Sequence, residues 1–366
     1  MCSAELAPPP GQPVLTADAL LAGPRGRSLC VNVLDDRLTT PRGRVERAWV
    51  HALDYIRMGD ARRSARKLSE CVGIAGLPGI PLDAGALVAG LAAAVDFAAY
   101  WQQPDDEDQG FAGAAAREAL GPVAEAVAAA AAADVHWWTE PVDRGCQRYT
   151  QFLDQDRSPE PLLTGAAESA TAWLADTRNE ERSARDRPED PAASCGGRWW
   201  SSPLFSRLPV TTRGLPGLGA VGLGLVEDGF GWQSARCWPV APLDGARVYE
   251  ISGPGQWADL VDRYPLDVSK SRRHVWWRAT GWAGRWLIPD YAAVAADWDA
   301  IHVSAAGYLT TAGIAIPAGG DARTMLAGWD PDATWWLNDV LSFTTPAEDW
   351  RKIARHAFGW TRLRAP

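Results

Sequence analysis

A change in amino-acid composition at residues 178–197 constrains the fold of this chain more than any other feature. The stretch combines dense charge of both signs with two Pro and two Gly, and it contains no large apolar side chain. Such a segment cannot bury apolar surface, which is typical of a linker or a mobile loop. Ala-rich helical patterns precede it, whereas Gly, Trp and strand-length apolar runs follow it. We therefore predict a flexible leader at residues 1–27, a helical module at 28–177, this linker, and a Trp-rich α+β domain at 198–366.

The part of the chain before the linker is predicted to be mainly helical. Residues 44–58 carry their apolar side chains on one amphipathic face, and residues 112–138 form an Ala-rich run of high helix propensity. The helical pattern continues through residues 143–154. By contrast, the short apolar run at residues 28–34 predicts a strand, and the Pro- and Gly-rich residues 1–27 predict a loosely attached leader.

Two strand-to-helix units organise the part after the linker. Residues 248–251 predict a strand that leads into a helix at 256–264, and residues 302–304 predict a strand that leads into a small-residue helix at 305–312. A strand at residues 230–238 is expected to form a hairpin with the first of these. The predicted fold class is α+β, with a helical N-terminal module followed by a mixed, mainly antiparallel β-sheet domain with short helices.

Composition excludes several classes of protein. The net charge of −9 argues against double-stranded DNA as a partner, because proteins that bind it carry basic surfaces. No uncharged apolar run is long enough to span a membrane, and the N-terminus lacks the pattern of a signal peptide, so we expect a cytoplasmic protein. The six Cys form no CxxC pair, which favours free thiols and predicts no metal site. Lys is scarce, a bias typical of GC-rich genomes such as those of actinobacteria.

The 20 Trp of the chain are its most unusual compositional feature. Indole rings fill cores, but they also line surfaces that bind sugars, nucleobases or nicotinamide. Residues 271–278 concentrate basic and aromatic side chains, and this cluster predicts a dock for a phosphorylated or nucleotide ligand, or else an edge strand of alternating charge. The ligand-binding candidates from this cluster are Arg273, His274, Trp276 and Arg278.

Further candidates lie outside that cluster. Arg236 on the strand at residues 230–238 is a candidate ligand-binding residue, while Arg207 and Arg213 are candidate anion clamps or solvated surface arginines. Asp330 and Asp332 lie beside Trp329, and carboxylates near aromatic rings are typical of glycoside hydrolases, although the same residues can simply form a turn.

Near the C-terminus, the residues at 346–360 predict a basic amphipathic helix that packs on the rest of the domain.

The two strand-to-helix units together resemble the arrangement in ADP-ribosyltransferase-like folds, over residues 230–345. The resemblance implies an aromatic and basic cleft between short strands, with NAD as a substrate. It places His302 and Ser304 on the strand that contacts the ribose or nicotinamide, with Tyr308 stacking on the ring. The chain has no Glu-x-Glu after that strand, so Glu250, Asp330 or Asp332 would supply the acid that stabilises an oxocarbenium-like ribose.

Three functions follow as alternatives. The first is an intracellular enzyme acting on a nucleotide or nucleoside-like small molecule, by ADP-ribosyl transfer or NAD glycohydrolysis, with Glu250, His302 and Asp332 as catalytic candidates. The second is a non-catalytic Trp-lined binding protein whose helical module contacts a protein partner. The third is a glycoside-cleaving or biosynthetic enzyme that uses Asp330 and Asp332.

Overall fold

The computed structural model describes residues 14–39, 45–77, 79–96, 98, 103–153, 163–204, 206–229, 231–353 and 358–363. Its helices are α1 (Ala17–Ala22), α2 (Pro24–Leu38), α3 (Arg47–Arg57), α4 (Ala61–Ile74), α5 (Ala84–Asp96), α6 (Asp106–Ala112), α7 (Ala114–Asp134), α8 (Ala166–Ser183), α9 (Pro254–Arg263), α10 (Ser269–Thr280), α11 (Tyr291–Asp297) and α12 (Ala305–Thr311). Its strands are β1 (Gln147–Phe152), β2 (Val210–Leu215), β3 (Gly219–Ala220), β4 (Ser234–Pro242), β5 (Val248–Ile251), β6 (Pro265–Asp267), β7 (Leu287–Pro289), β8 (Ala300–Val303), β9 (Ile316–Ala318), β10 (Ala322–Thr324), β11 (Ala333–Trp336), β12 (Leu341–Phe343), β13 (Glu348–Lys352) and β14 (Trp360–Arg362).

Most strands belong to one large sheet. Its order is β14-β13-β4-β1-β2-β11-β8-β5, with β12 paired to β4 and β3 paired to β2. Its strand pairs are antiparallel except β5 with β8, which is parallel. The pairs β9 with β10 and β6 with β7 form two small antiparallel sheets. The predicted α+β class, with a helical N-terminal part and a mixed, mainly antiparallel sheet, is confirmed.

The start of the chain is more ordered than predicted from its composition. Residues 1–13 of the expected leader lie outside the described residues, but α1 begins at a cap in which the Ala19 N–H donates to Thr16 Oγ1 at 3.2 Å. Leu20 of this helix is fully buried. Residues 28–34 form part of α2, so the predicted strand is wrong. Its buried residues Leu29, Cys30, Val33 and Leu34 recur at the spacing of one helix face.

β1 overturns the prediction that residues 143–154 are helical. It lies between β4 and β2 in the large sheet, and it carries aromatic and β-branched residues that favour strands. The part before the linker therefore contributes a central strand to the sheet. The predicted linker begins inside α8, which continues to Ser183, and the division into domains stays a prediction.

Two predictions in the last third of the chain are also wrong. β4 and β5 form no hairpin, because the turn that contains Gly245 carries the chain to the far edge of the sheet, where β5 pairs with β8. The described residues 346–353 and 358–360 form no helix: β13 and β14 pair with each other, and β13 also pairs with β4. Trp350 and Trp360 are buried there, as alternating side chains of a sheet are.

The two strand-to-helix units are confirmed. β5 leads into α9 through Gly253 and Pro254, and β8 leads directly into α12. Ser304 caps α12, since its hydroxyl accepts a hydrogen bond from the Gly307 N–H at 3.0 Å. The main core extends from the N-terminal helices to the place where α9 and α12 cover the sheet, and it contains many of the Trp side chains. None of the helices in the described ranges combines the length and apolar character that a membrane crossing needs.

Candidate functional site

A row of polar side chains crosses one face of the large sheet. Glu250 on β5 is paired in register with His302 on β8, and His302 is paired with Thr334 on β11. Side chains of residues paired across neighbouring strands point to the same face. Glu250 and His302 each stand one residue before the carboxyl end of a parallel strand, a position at which α/β sheets commonly bind ligands.

Five charged side chains continue this row as an unbroken chain of contacts. His302 Nδ1 lies 2.6 Å from Glu250 Oε2, and His302 Nε2 lies 3.4 Å from Asp332 Oδ1. Arg213 then donates from Nε to Asp332 Oδ1 at 2.9 Å and from one terminal nitrogen to Glu140 Oε2 at 2.9 Å. The signs alternate along the chain, so each buried charge has an opposite neighbour. We call this set the Glu250–Glu140 chain.

Asp332 is held in an unusual backbone conformation at the middle of the Glu250–Glu140 chain. Its φ is 57°, in the left-handed region that residues other than Gly, Asn and Asp seldom adopt. The Arg213 backbone N–H also donates to Asp332 Oδ2 at 2.9 Å, so one residue binds both carboxylate oxygens. These two hydrogen bonds fix the carboxylate and offset the backbone strain, which is on the order of 1 kcal/mol.

The environment of His302 favours its charged form. Burial alone would lower the pKa of the imidazole, but the hydrogen bonds and charges of Asp332 and Glu250 outweigh it and raise the pKa of His302 to about 9. At neutral pH the ring is therefore an imidazolium that donates from both nitrogens. Asp332 likewise raises the pKa of Arg213 against the effect of burial.

The side chains in the middle of the Glu250–Glu140 chain are buried, whereas those at its two ends are partly exposed to solvent. The side chains of Asp332 and His302 are 1% exposed, whereas those of Glu250 and Glu140 are 34% and 48% exposed. Residues 140–142 contact the Glu250–Glu140 chain at two further points: the Val142 N–H donates to Glu250 Oε1 at 3.1 Å, and Arg213 donates to the Pro141 carbonyl at 3.1 Å. The arrangement thus presents two partly exposed carboxylates, Glu250 and Glu140, each next to a buried cation.

The structure brings together the three residues predicted to be catalytic, Glu250, His302 and Asp332. It adds Arg213, predicted as an anion clamp, which here binds carboxylates of its own chain. Glu140 was not predicted, because an isolated Glu after an aromatic pair carries no pattern that distinguishes it from a surface residue. In the described part of the chain, no group of three or more His, Cys, Asp or Glu residues is arranged to hold a metal ion.

Three other predicted site residues lie elsewhere near α12. Ser304 serves as its N-cap. Tyr308 is fully buried and donates a hydrogen bond from its hydroxyl to Glu227 Oε1 at 2.8 Å. Trp329 is 1% exposed and packs edge-on against Trp257 with ring centroids 5.9 Å apart. All three therefore contribute to packing around the end of the sheet.

The predicted basic and aromatic cluster lies on α10, so the edge-strand alternative is wrong. Trp276 is buried and donates from its ring nitrogen to the Trp199 carbonyl at 2.7 Å, and His274 is 1% exposed. Arg273 and Arg278 donate to the backbone carbonyls of Pro188 and Cys195 at 2.8 and 3.0 Å. The cluster thus fastens residues 188–195 to α10.

Arg236 is likewise engaged within the protein. It forms a two-pronged ion pair across neighbouring strands with Asp349, at 2.6 and 3.0 Å.

Comparison with known proteins gives no match for this chain, whether with family models, curated proteins or solved structures. The functional argument therefore starts from the geometry of the Glu250–Glu140 chain.

Proposed function

We propose that this protein is an enzyme that cleaves the N-glycosyl bond of a nucleotide or nucleoside-like ligand, with NAD as the substrate class. The proposal is carried by one observation: Glu250 is partly exposed at the carboxyl end of β5, and a buried imidazolium is held 2.6 Å behind it. A carboxylate fixed in this way cannot turn away from a cation that forms in front of it.

The proposed reaction uses that carboxylate to stabilise a ribosyl cation. The bond between ribose C1′ and the nicotinamide nitrogen breaks, and its electron pair leaves with the nitrogen as neutral nicotinamide. Glu250 stabilises the oxocarbenium-like ribose that remains. The oxygen of water or of an acceptor hydroxyl then bonds to C1′, and its proton passes to bulk water.

His302 and Asp332 act through Glu250 in this proposal. Both side chains are 1% exposed, so they position the outer carboxylate instead of touching substrate. Arg213 completes the support, because it holds Asp332 and Glu140 together. The burial of Asp332 also gives it a supporting role in the glycoside-cleaving alternative, which relies on the same kind of oxocarbenium stabilisation.

The proposal is tested by NAD titration in a calorimeter together with an assay of turnover. We expect NAD to bind and Glu250→Gln to lower kcat at least a hundredfold, because the amide carries no charge. Tm also falls, since the amide oxygen can accept from only one of its two donors, the Val142 N–H and His302. Glu348→Gln serves as the matched control, since Glu348 pairs with Arg362 on the distant β13–β14 edge. Absence of NAD binding at millimolar concentration contradicts the proposal.

A non-catalytic binding role is the second candidate, and one observation favours it. Both oxygens of Glu250 already have partners, namely the Val142 N–H and His302. If that role is correct, NAD or a related ligand binds without turnover. The helical part of the chain would then provide the surface for a protein partner.

We also propose a cytoplasmic location in an actinobacterial cell, on the composition of the chain.

A further inference from the structure

A groove lies between the C-terminal half of α8 and the short strand β6. Its volume is about 400 Å³, which is within the size range of sites that hold small ligands. We call it the α8 groove, and its lining includes Arg178, Arg182 and Arg185 on one side and Leu266 and Asp267 on the other. Guanidinium groups thus make up a large part of its polar surface.

The three arginines of the α8 groove lie along one face of the helix and its end. Their spacing of four and then three residues brings Arg178, Arg182 and Arg185 into one row. Arg182 donates to the neutral amide oxygen of Asn179 and forms no ion pair among the described residues. Arg185 pairs with its sequence neighbour Asp186, but these side chains are 76% and 84% exposed, so the pair is weak. The row is therefore poorly supplied with negative charge.

The two acids that line the α8 groove are already bound by other donors of the chain. Glu181 accepts hydrogen bonds from the backbone N–H groups of Lys270 and Ser271, at 2.5 and 2.9 Å, where α10 begins. Asp267 accepts from the N–H and the hydroxyl of Ser269, at 2.9 and 2.6 Å. Since both carboxylates have partners elsewhere, the arginines remain as donors for an anionic ligand.

Thr177 adds a buried hydroxyl to the lining of the α8 groove. The residue is 1% exposed, and its Oγ1 has no hydrogen-bond partner among the described residues. Buried hydroxyl groups normally have such a partner. Because Thr177 precedes Arg178 directly, an anion held by the arginines would also supply an acceptor for this hydroxyl.

We propose that the α8 groove binds a phosphorylated small molecule, with Arg178, Arg182 and Arg185 donating to phosphate oxygens and the Thr177 hydroxyl as a further donor. A guanidinium group suits phosphate, because two of its N–H groups can donate in parallel to two oxygens. None of these residues belongs to the Glu250–Glu140 chain, so the inference is independent of the proposed enzyme activity.

A second depression continues the α8 groove and provides room for the rest of the ligand. It has a volume of about 670 Å³ and shares Glu181 and Asp267 with the groove. Its lining contributes three more cationic side chains, Lys270, Arg273 and Arg285. The Lys270 ammonium group has no hydrogen-bond or ion-pair partner within the described part of the chain. This continuation favours a ligand with more than one anionic group, such as a polyphosphate.

Calorimetric titration of the intact protein with inorganic tripolyphosphate at low salt tests the proposal. We expect the wild type to bind, and Arg178→Gln and Arg182→Gln each to weaken binding about fivefold or more through loss of a charge-assisted hydrogen bond. Arg263→Gln is the matched control, because Arg263 is 58% exposed and lies 3.5 Å from Asp297. Arg178 is 56% exposed and lies 3.4 Å from its carboxylate partner. The control should bind as the wild type does.

Thr177→Val separates ligand binding from a purely structural role of this residue. The substitution keeps the shape of the side chain and removes the hydroxyl, so binding of tripolyphosphate should weaken about threefold. Tm should not fall, because no described residue forms a hydrogen bond with Oγ1. A fall in Tm with unchanged binding would remove Thr177 from the site.

Three results would overturn the proposal. The first is absence of tripolyphosphate binding at millimolar concentration. The second is equal weakening in Arg263→Gln and Arg182→Gln, which would mean that the anion responds only to the overall surface charge. The third is tighter binding of a poly-glutamate peptide than of tripolyphosphate, which would make the α8 groove a surface for an acidic protein segment.

Discussion

In the Glu250–Glu140 chain, each buried charged side chain is stabilised by neighbours of opposite charge. A lone buried charge is strongly unfavourable, and in this chain every inner residue is placed between two groups of opposite charge. His302 lies between Glu250 and Asp332, and Arg213 lies between Asp332 and Glu140. The charge of each residue therefore depends on its neighbours, which makes substitution and pH direct probes of the arrangement.

Replacement of His302 should change how stability depends on pH. The raised pKa of about 9 means that folding binds a proton above pH 6.5, the ordinary value for His. The stabilisation is therefore full below pH 6.5 and is lost as the pH rises towards 9, by roughly 2–3 kcal/mol. Urea unfolding at pH 6.5 and 9 should show this loss in the wild type and not in His302→Gln. The exposed His51→Gln should retain it, and equal slopes in all three proteins would contradict the assignment.

Replacement of Arg213 should have a large effect on stability. Arg213→Met leaves the buried carboxylate of Asp332 without its main partner, and breaking a buried pair from one side typically costs about 3–5 kcal/mol. Arg236→Met removes a two-pronged pair with Asp349 that is partly exposed, and we expect a loss of about 1 kcal/mol or less. Chemical denaturation measures both losses. Similar losses for the two variants would mean that the Glu250–Glu140 chain gives no special stability.

Helices and strands were predicted correctly where the signal for them lies within one short segment of the sequence, and wrongly where it does not. The units β5–α9 and β8–α12 were predictable, because a short apolar strand followed by a cap or by Gly and Pro is a signal contained within one segment. β1 was missed because its neighbours in sequence are helical, and its strand conformation is imposed by β4 and β2 on either side. The sequence of α2 is apolar over too short a run to distinguish a strand from a buried helix.

A close contact between α12 and β5 offers a test of this packing. A Cβ on Gly307 would clash with the carbonyl oxygen of Ile251, whereas a Cβ on Gly73, near the end of α4, meets nothing within 4 Å. Gly307→Ala should therefore push α12 off β5 and lower the free energy of unfolding by about 2 kcal/mol or more. Gly73→Ala should raise it by about 0.5 kcal/mol through helix propensity. Thermal unfolding distinguishes the two, and a neutral Gly307→Ala would contradict the close packing.

At the scale of the whole molecule, the candidate site is built from parts far apart in sequence. Glu140 precedes the predicted linker, Arg213 follows it, and Glu250, His302 and Asp332 come from three further segments. Glu250 and His302 could be predicted as site residues, because both are titratable and both lie near the end of a predicted strand. The contacts with Arg213 and Glu140 could not be predicted, because they depend on the register of β2 and on the path of residues 136–142 over the sheet.

Arg25 and Glu227 join the same two parts of the molecule by a second route, because the guanidinium on α2 pairs with a carboxylate that follows the predicted linker.

Release of nicotinamide from NAD under single-turnover conditions tests the central claim most directly. With excess protein, we predict stoichiometric release by the wild type, a rate at least a hundredfold lower for Glu250→Gln, and an unchanged rate for the Glu348→Gln control. A wild-type protein that binds NAD and releases no nicotinamide, or a Glu250→Gln variant as fast as the wild type, would contradict the claim that the Glu250–Glu140 chain cleaves an N-glycosyl bond.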